Sequence, residues 1–356
     1  MTNPFWNSTE QRIRAGWRIL LQALLFFIAT QLTSLVVLLA AWAVGSASGQ
    51  IPGGLAPQDL VNSITSYVGM RPVWRTLAIS SEIVGVLLSL WLAGRLLDRR
   101  SFADFGFHLN RRWWIDLAFG AFLGAILMAF IFVVELAAGW IKITDVFYVR
   151  EGLNFPYWIV ALVGFANFIS VAVREEIFSR GYHLRNMAEG FNLPRVSPRT
   201  ALIIGYVVSS SMFGMFHMFN PNATLVSIIN LIIAGLFLGL GYVLTGELAM
   251  PIGVHLTWNF FQGYVFGFPV SGGASRAAVF GIEQGGPEVW TGGAFGPEAG
   301  IIGLIAIALG CVLTVLWVRW RYGEARLKES LAVYRSDDRG PVTPLPEQAV
   351  LQQQPK

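Results

Sequence analysis

A few side chains in the middle of the chain have types and spacings that could activate a water molecule and stabilise a developing anion. In Arg174-Glu-Glu-Ile-Phe-Ser-Arg180, Glu176 and Arg180 stand four residues apart and share a helix face, which permits an ion pair. Glu175 is rotated about 100° from its neighbour and is free to point elsewhere. A carboxylate held by an arginine beside one left available is the pattern of an orienting group next to a general base, and equally that of interfacial charges at a solvated helix end. His217 follows Phe213 by four residues on the same face. Histidine moves protons near neutral pH and is a common metal ligand, but it also serves as a structural hydrogen-bonding group in apolar helices. His255 and Asn259 are again four apart. They could bind an oxyanion, help hold a metal, or join an interhelical network worth about 1 kcal/mol per bond. Pro251 lacks an N–H, so the helix is expected to bend just before this pair. Independent structural accidents would not be expected to assemble one base, two imidazoles and one amide on consecutive elements between 175 and 259.

The elements that must position them follow from composition. Of 356 residues, 54% are hydrophobic and only 13% charged, where soluble domains carry about 25% charged residues. That excludes a disordered chain, a disulfide scaffold and an ordinary soluble enzyme. The single cysteine, Cys311, offers no disulfide and no cysteine metal site. A net charge of +4 is spread between apolar segments rather than along one stripe, so no nucleic-acid partner is expected. A spanning helix needs about 20 apolar residues. Eight stretches meet that length: 17–44, 76–97, 113–141, 155–173, 200–219, 223–245, 248–268 and 299–320. The first is too long for a cleavable signal and is read as retained. With the N-terminus inside, twenty of the 25 Lys and Arg residues fall in inner segments, leaving Arg71, Arg75, Lys142, Arg150 and Arg276 outside. The expected fold is therefore an all-α polytopic membrane protein of about eight transmembrane helices, both termini cytoplasmic, in the cell membrane. Its expected parts are helices 1–3 within 1–154, a core of helices 4–7 at 155–268, a Gly-rich outer loop at 269–298, a final span with its basic end at 299–335, and a flexible tail at 336–356. Residues 49–75 read as another outer loop. No internal repeat is visible.

The three motifs resemble those of the CAAX protease and bacteriocin-processing (Abi) family, whose members include the type II CAAX prenyl endopeptidases. That family shows Glu-Glu-x-x-x-Arg, then Phe-x-x-x-His, then His-x-x-x-Asn or Asp on successive helices. Here these are Glu175, Glu176 and Arg180; Phe213 and His217; and His255 and Asn259. The resemblance covers about 155–265. It departs at Ser179, where members often carry Phe directly before the arginine, while Phe178 precedes it here. It implies an intramembrane endopeptidase in which Glu175 is the general base assisted by His217, His255 and Asn259 stabilise the oxyanion, and Glu176 and Arg180 hold the glutamate helix. The implied partners are membrane lipids and a membrane-proximal peptide or protein, prenylated in one branch of the family.

Two other readings stand beside this one: a non-enzymatic membrane scaffold or bacteriocin-immunity protein, and an ion-coupled transporter, which the lack of a repeat disfavours. No cofactor is certain. Glu175, His217 and His255 are a candidate zinc set, although no HExxH or cysteine cluster accompanies them. Glu82 and Glu135 lie in apolar spans without an assigned role. Geometry poses one problem. If the fifth span enters near Thr200, His217 lies roughly 25 Å along the helix, toward the outer side, whereas Glu175 and His255 fall near the inner side. A shared site requires that the fifth helix begin in the cytoplasm or that Phe219–Asn222 turn at membrane depth.

Overall fold

Long apolar runs in a bilayer must satisfy their backbone internally, and helices do so within one segment. In the computed structural model, which describes residues 3–334, they form α1 (Ala15–Ala47), α2 (Pro57–Met70), α3 (Pro72–Ala93), α4 (Arg111–Ala137), α5 (Tyr157–Phe191), α6 (Pro198–Phe216), α7 (Leu225–Thr245), α8 (Ala249–Phe260) and α9 (Ile301–Tyr322). Seven helices among the described residues are long and apolar enough to cross a membrane, and the chain is an all-α multi-pass membrane protein. Local chemistry fixes several ends. The Asn110 side chain accepts from the N–H groups of Arg112 and Trp113 at the start of α4. Ser197 caps α6 with Pro198 in its first turn, and Gly246 ends α7 in a left-handed conformation.

The seventh of the eight expected spans, 248–268, is shorter: α8 covers Ala249–Phe260 and continues only through wider turns at Phe261–Val265. It still passes through the same layer as α4, running parallel to it. Gly253 lies against the α4 backbone, where an added Cβ would come 2.4 Å from the Leu117 carbonyl oxygen, so only glycine permits this approach. Further along, the Phe132 and Phe266 rings stack at 4.5 Å. Pro251 does not bend this helix. It sits in the first turn, where its missing N–H has no intrahelical acceptor to lose.

α5 corrects a second expectation. The fourth span does not end at 173 with the glutamates just beyond it. The helix runs unbroken from Tyr157 to Phe191, with wider π-type turns over Ile177–Leu184, so Glu175 and Glu176 lie near its middle. The two expected outer loops also hold regular structure. Residues 49–75 contain α2, and the segment 269–298 contains β2 (Ala277–Gln284), paired antiparallel with β1 (Ile141–Val149) in a ribbon that the all-α expectation lacked.

Both ends of the described chain meet at the opposite, arginine-rich end of the bundle. There Arg12 reaches Glu189 at 2.6 Å and its guanidinium lies 3.5 Å from the Tyr334 ring centre. The Lys328 N–H donates to Val243, and the Leu248 N–H to Gly106. Arg12, Arg18, Arg100 and Arg185 all surround the buried Glu189 carboxylate, tying the end of α5 to the N-terminal segment and to the turn after α3. Burial pushes the Arg100 guanidinium below its usual range, while Arg12, flanked by Glu189, Glu10 and Asp98, is held above it despite burial. The expected tail at 336–356 lies outside the described residues.

Candidate active site

Three helices and one turn carry the candidate residues. α5 presents Glu175 and Glu176, α8 presents His255 and Asn259, and α6 ends on Phe216 so that His217 opens a short helical turn. The depth problem disappears because α5 continues past 173. α6 starts beside the far end of α5 and runs back antiparallel to it. The Gly205 position abuts the Ala188 backbone, and the Ser209 hydroxyl donates to the Ser179 carbonyl at 2.6 Å. Glu175 lies sixteen residues before Phe191, and His217 lies seventeen after Thr200, so both are roughly 25 Å from that end. α6 therefore begins far toward the arginine-rich end, and the turn Phe219–Asn222 sits level with Glu175, as a shared site requires.

Glu176, expected as the orienting carboxylate, is fully buried. One of its oxygens lies 2.9 Å from Arg180 Nη1 and 2.7 Å from His255 Nδ1. Arg180, 1% exposed, also donates to the Gly235 carbonyl at 3.0 Å and lies over the Phe213 ring at 4.3 Å. The motif residues Glu176, Arg180 and Phe213 thus form one packed stack whose polar outlet is the His255 ring.

Glu175 points away from this stack, as its helix angle expects. Its Oε2 is 3.9 Å from Nε2 of His217 and 3.9 Å from Nε2 of His255. One water about 2.8 Å from the carboxylate and from either imidazole would subtend about 90°, an acceptable geometry. The partners of the other ring nitrogens fix the proton positions. Nδ1 of His217 faces the Phe213 carbonyl at 2.7 Å, and Nδ1 of His255 faces the Glu176 carboxylate. Both partners are acceptors, so each Nδ1 carries a hydrogen, and each ring turns its Nε2 toward Glu175. Glu175, His217, His255 and Asn259 all line one cavity of about 750 Å³ whose other walls include Phe26 and Phe178. A second cavity of about 50 Å³, mostly apolar, opens behind His217, His255 and Asn259.

The candidate zinc set fits less well. Ligands of a tetrahedral zinc stand about 3.3 Å apart, whereas both carboxylate–imidazole separations are 3.9 Å. Among the described residues no group of three His, Cys, Asp or Glu side chains is arranged to hold a metal ion.

Sequence reasoning left Glu82 without a role, and it passed over Arg174. They form an ion pair on the cavity wall, and the other side of Arg174 lies 3.6 Å from Glu175. An acidic residue in one apolar span and an arginine beside the diglutamate were the available signals. Glu135 is fully buried on α4 and does not line this cavity. The roof of the cavity, Val270, Ser271 and Gly273, comes from the Gly-rich segment that carried no chemical motif.

Comparison with protein families matches residues 156–261 to the family described as type II CAAX prenyl endopeptidase Rce1-like. The match covers less than a third of the chain and contains every motif residue from Glu175 to Asn259. Comparisons with curated proteins and with solved structures gave no match. The matched segment, residues 156–261, is thus similar to the Rce1-like, type II CAAX prenyl endopeptidase family, in agreement with the resemblance carried by the three motifs.

Proposed function

We propose that the chain is an intramembrane endopeptidase that hydrolyses a peptide bond with a water activated by Glu175. The observation that carries this reading is the convergence of the Glu175 carboxylate and the Nε2 atoms of two imidazoles, each 3.9 Å from it, on the wall of one cavity among apolar helices. Glu175 takes a proton from water as the water oxygen bonds to the substrate carbonyl carbon. The proton passes to the leaving amine as the C–N bond breaks, either from Glu175 or by way of Nε2 of His217. The carbonyl oxygen becomes an oxyanion in between, and the Asn259 amide can donate to it. With its Nδ1–H engaged by Glu176, His255 can donate to the oxyanion from Nε2 only as the imidazolium. Its share in oxyanion binding is thus tied to proton transfer, with Glu176 fixing the ring orientation. Preorganised donors of this kind contribute several kcal/mol to barrier lowering. No step passes through a metal.

The cavity supports a membrane-proximal peptide as substrate, since it joins a polar reactive wall to aromatic walls. Comparing the peptides of cells that make the protein with those of cells that make Glu175→Gln tests this reading. The substrate is expected to remain intact in the variant, whereas identical peptide sets would favour a scaffold role.

A further inference from the structure

A buried acid far outside the matched domain reaches the same site. Glu298 precedes α9, is 4% exposed, and has no arginine or lysine partner among the described residues. Its carboxylate accepts from the Ser271 N–H, from the Ser271 hydroxyl at 2.8 Å, and from the Gln262 amide. Gln262 is itself fully buried and also donates to the Pro269 carbonyl. His255, Asn259 and Gln262 succeed one another at intervals of four and three along one helix face. Glu298 therefore grips the end of the helix that carries the second histidine.

Through Ser271 it also grips the cavity roof. Ser271 has φ +46°, a left-handed conformation costly for a side chain with a Cβ and one that persists only where surrounding bonds enforce it. The roof in turn holds the turn after His217. Asn220 donates to the Ser271 carbonyl at 3.2 Å, and Asn222 to the Gly272 carbonyl at 3.1 Å. At Gly272, φ +82°, an added Cβ would come 1.7 Å from the Pro221 carbonyl oxygen, so roof and turn touch backbone to backbone. Glu298 also lines the small cavity behind His217, His255 and Asn259.

We propose that Glu298 is a positioning residue for both histidines, clamping the end of α8 through Gln262 and, through the roof at 269–273, the turn that carries His217. The proposal rests on the peptidase reading for its kinetic consequence but not for its structural one. A carboxylate satisfies all the donors at once. In Glu298→Gln, the new amide must turn an N–H group toward Ser271 or toward Gln262, so at least one tie is lost.

Hydrogen exchange on the full-length protein in lipid nanodiscs reads the clamp directly. In Glu298→Gln, exchange is expected to rise at least fivefold in both 217–224 and 266–273, with the spans unchanged. Turnover of a peptide cleaved by the wild type is expected to fall at least tenfold in kcat, with KM within threefold, and Glu298→Asp is expected to fall between the two. Unchanged exchange at 217–224, an equal rise throughout the bundle, or unaltered kcat would overturn the proposal. Should Glu298→Gln fail to fold, Ser271→Ala, which removes one of the two ties to the roof, must raise exchange at 269–273, and no rise there would refute the clamp. A wild-type protein that cleaves nothing yet shows the exchange pattern would count against the peptidase reading alone.

Discussion

Replacing Arg180 by Met keeps a long apolar stem over Phe213 and removes the charge that holds Glu176. Arg180 is 1% exposed and Glu176 fully buried, so the 2.9 Å pair is a desolvated one. Removing one member of such a pair leaves a buried uncompensated charge, at a cost of about 3–5 kcal/mol. Glu176 would retain His255 Nδ1 as its partner, 2.7 Å away, and would draw that ring out of line. Adding Glu176→Gln removes the orphan charge while preserving an acceptor for His255. The double variant is therefore expected to recover roughly 1–3 kcal/mol relative to Arg180→Met, a coupling typical of residues in direct contact. Equilibrium unfolding in bicelles of the wild type, both single variants and the double variant measures this cycle. A double variant whose loss equals the sum of the single losses would refute the claim that the two residues act as one buried unit.

Gly253→Ala is expected to cost about 1–3 kcal/mol through overpacking against the α4 backbone. It should also lower kcat more than tenfold by displacing His255 and Asn259; thermal unfolding and turnover check both. Burial raises the Glu298 carboxyl above the usual carboxylate range, against the opposing hydrogen bonds from Gln262 and Ser271. An acid whose folded value is raised stabilises most below its unfolded value, about 4.3. The wild type should therefore lose stability relative to Glu298→Gln as pH rises from there through the folded value. Parallel stability–pH curves for the two proteins would contradict this. Chelation with EDTA is expected to leave cleavage intact, and a loss restored by zinc would reassign Glu175, His217 and His255 as ligands.

Much of the site was legible because helical spacing is a strong constraint. Four-residue intervals placed Glu176 with Arg180 and His255 with Asn259, and the 100° step turned Glu175 away from its neighbour; each relation holds in the fold. Span lengths were less legible. The apolar run of α5 stops at 173, but its polar continuation to Phe191 is stabilised by long-range partners, above all the arginines around Glu189, which no local pattern announces. The same blindness hid the roof. Ser271 and Glu298 lie in a Gly-rich stretch without periodicity, and their meaning depends on a contact 27 residues apart in sequence. The proton positions on His217 and His255 also required the structure, since they follow from a carbonyl and a carboxylate that face each Nδ1.

The central claim is that Glu175 supplies the base, and purified protein in liposomes tests it most directly. The turnover of a peptide identified from the cellular comparison should fall at least a thousandfold in Glu175→Gln, with folding and substrate binding retained. A Glu175→Gln protein that still cleaves that peptide within tenfold of the wild-type rate would contradict the account.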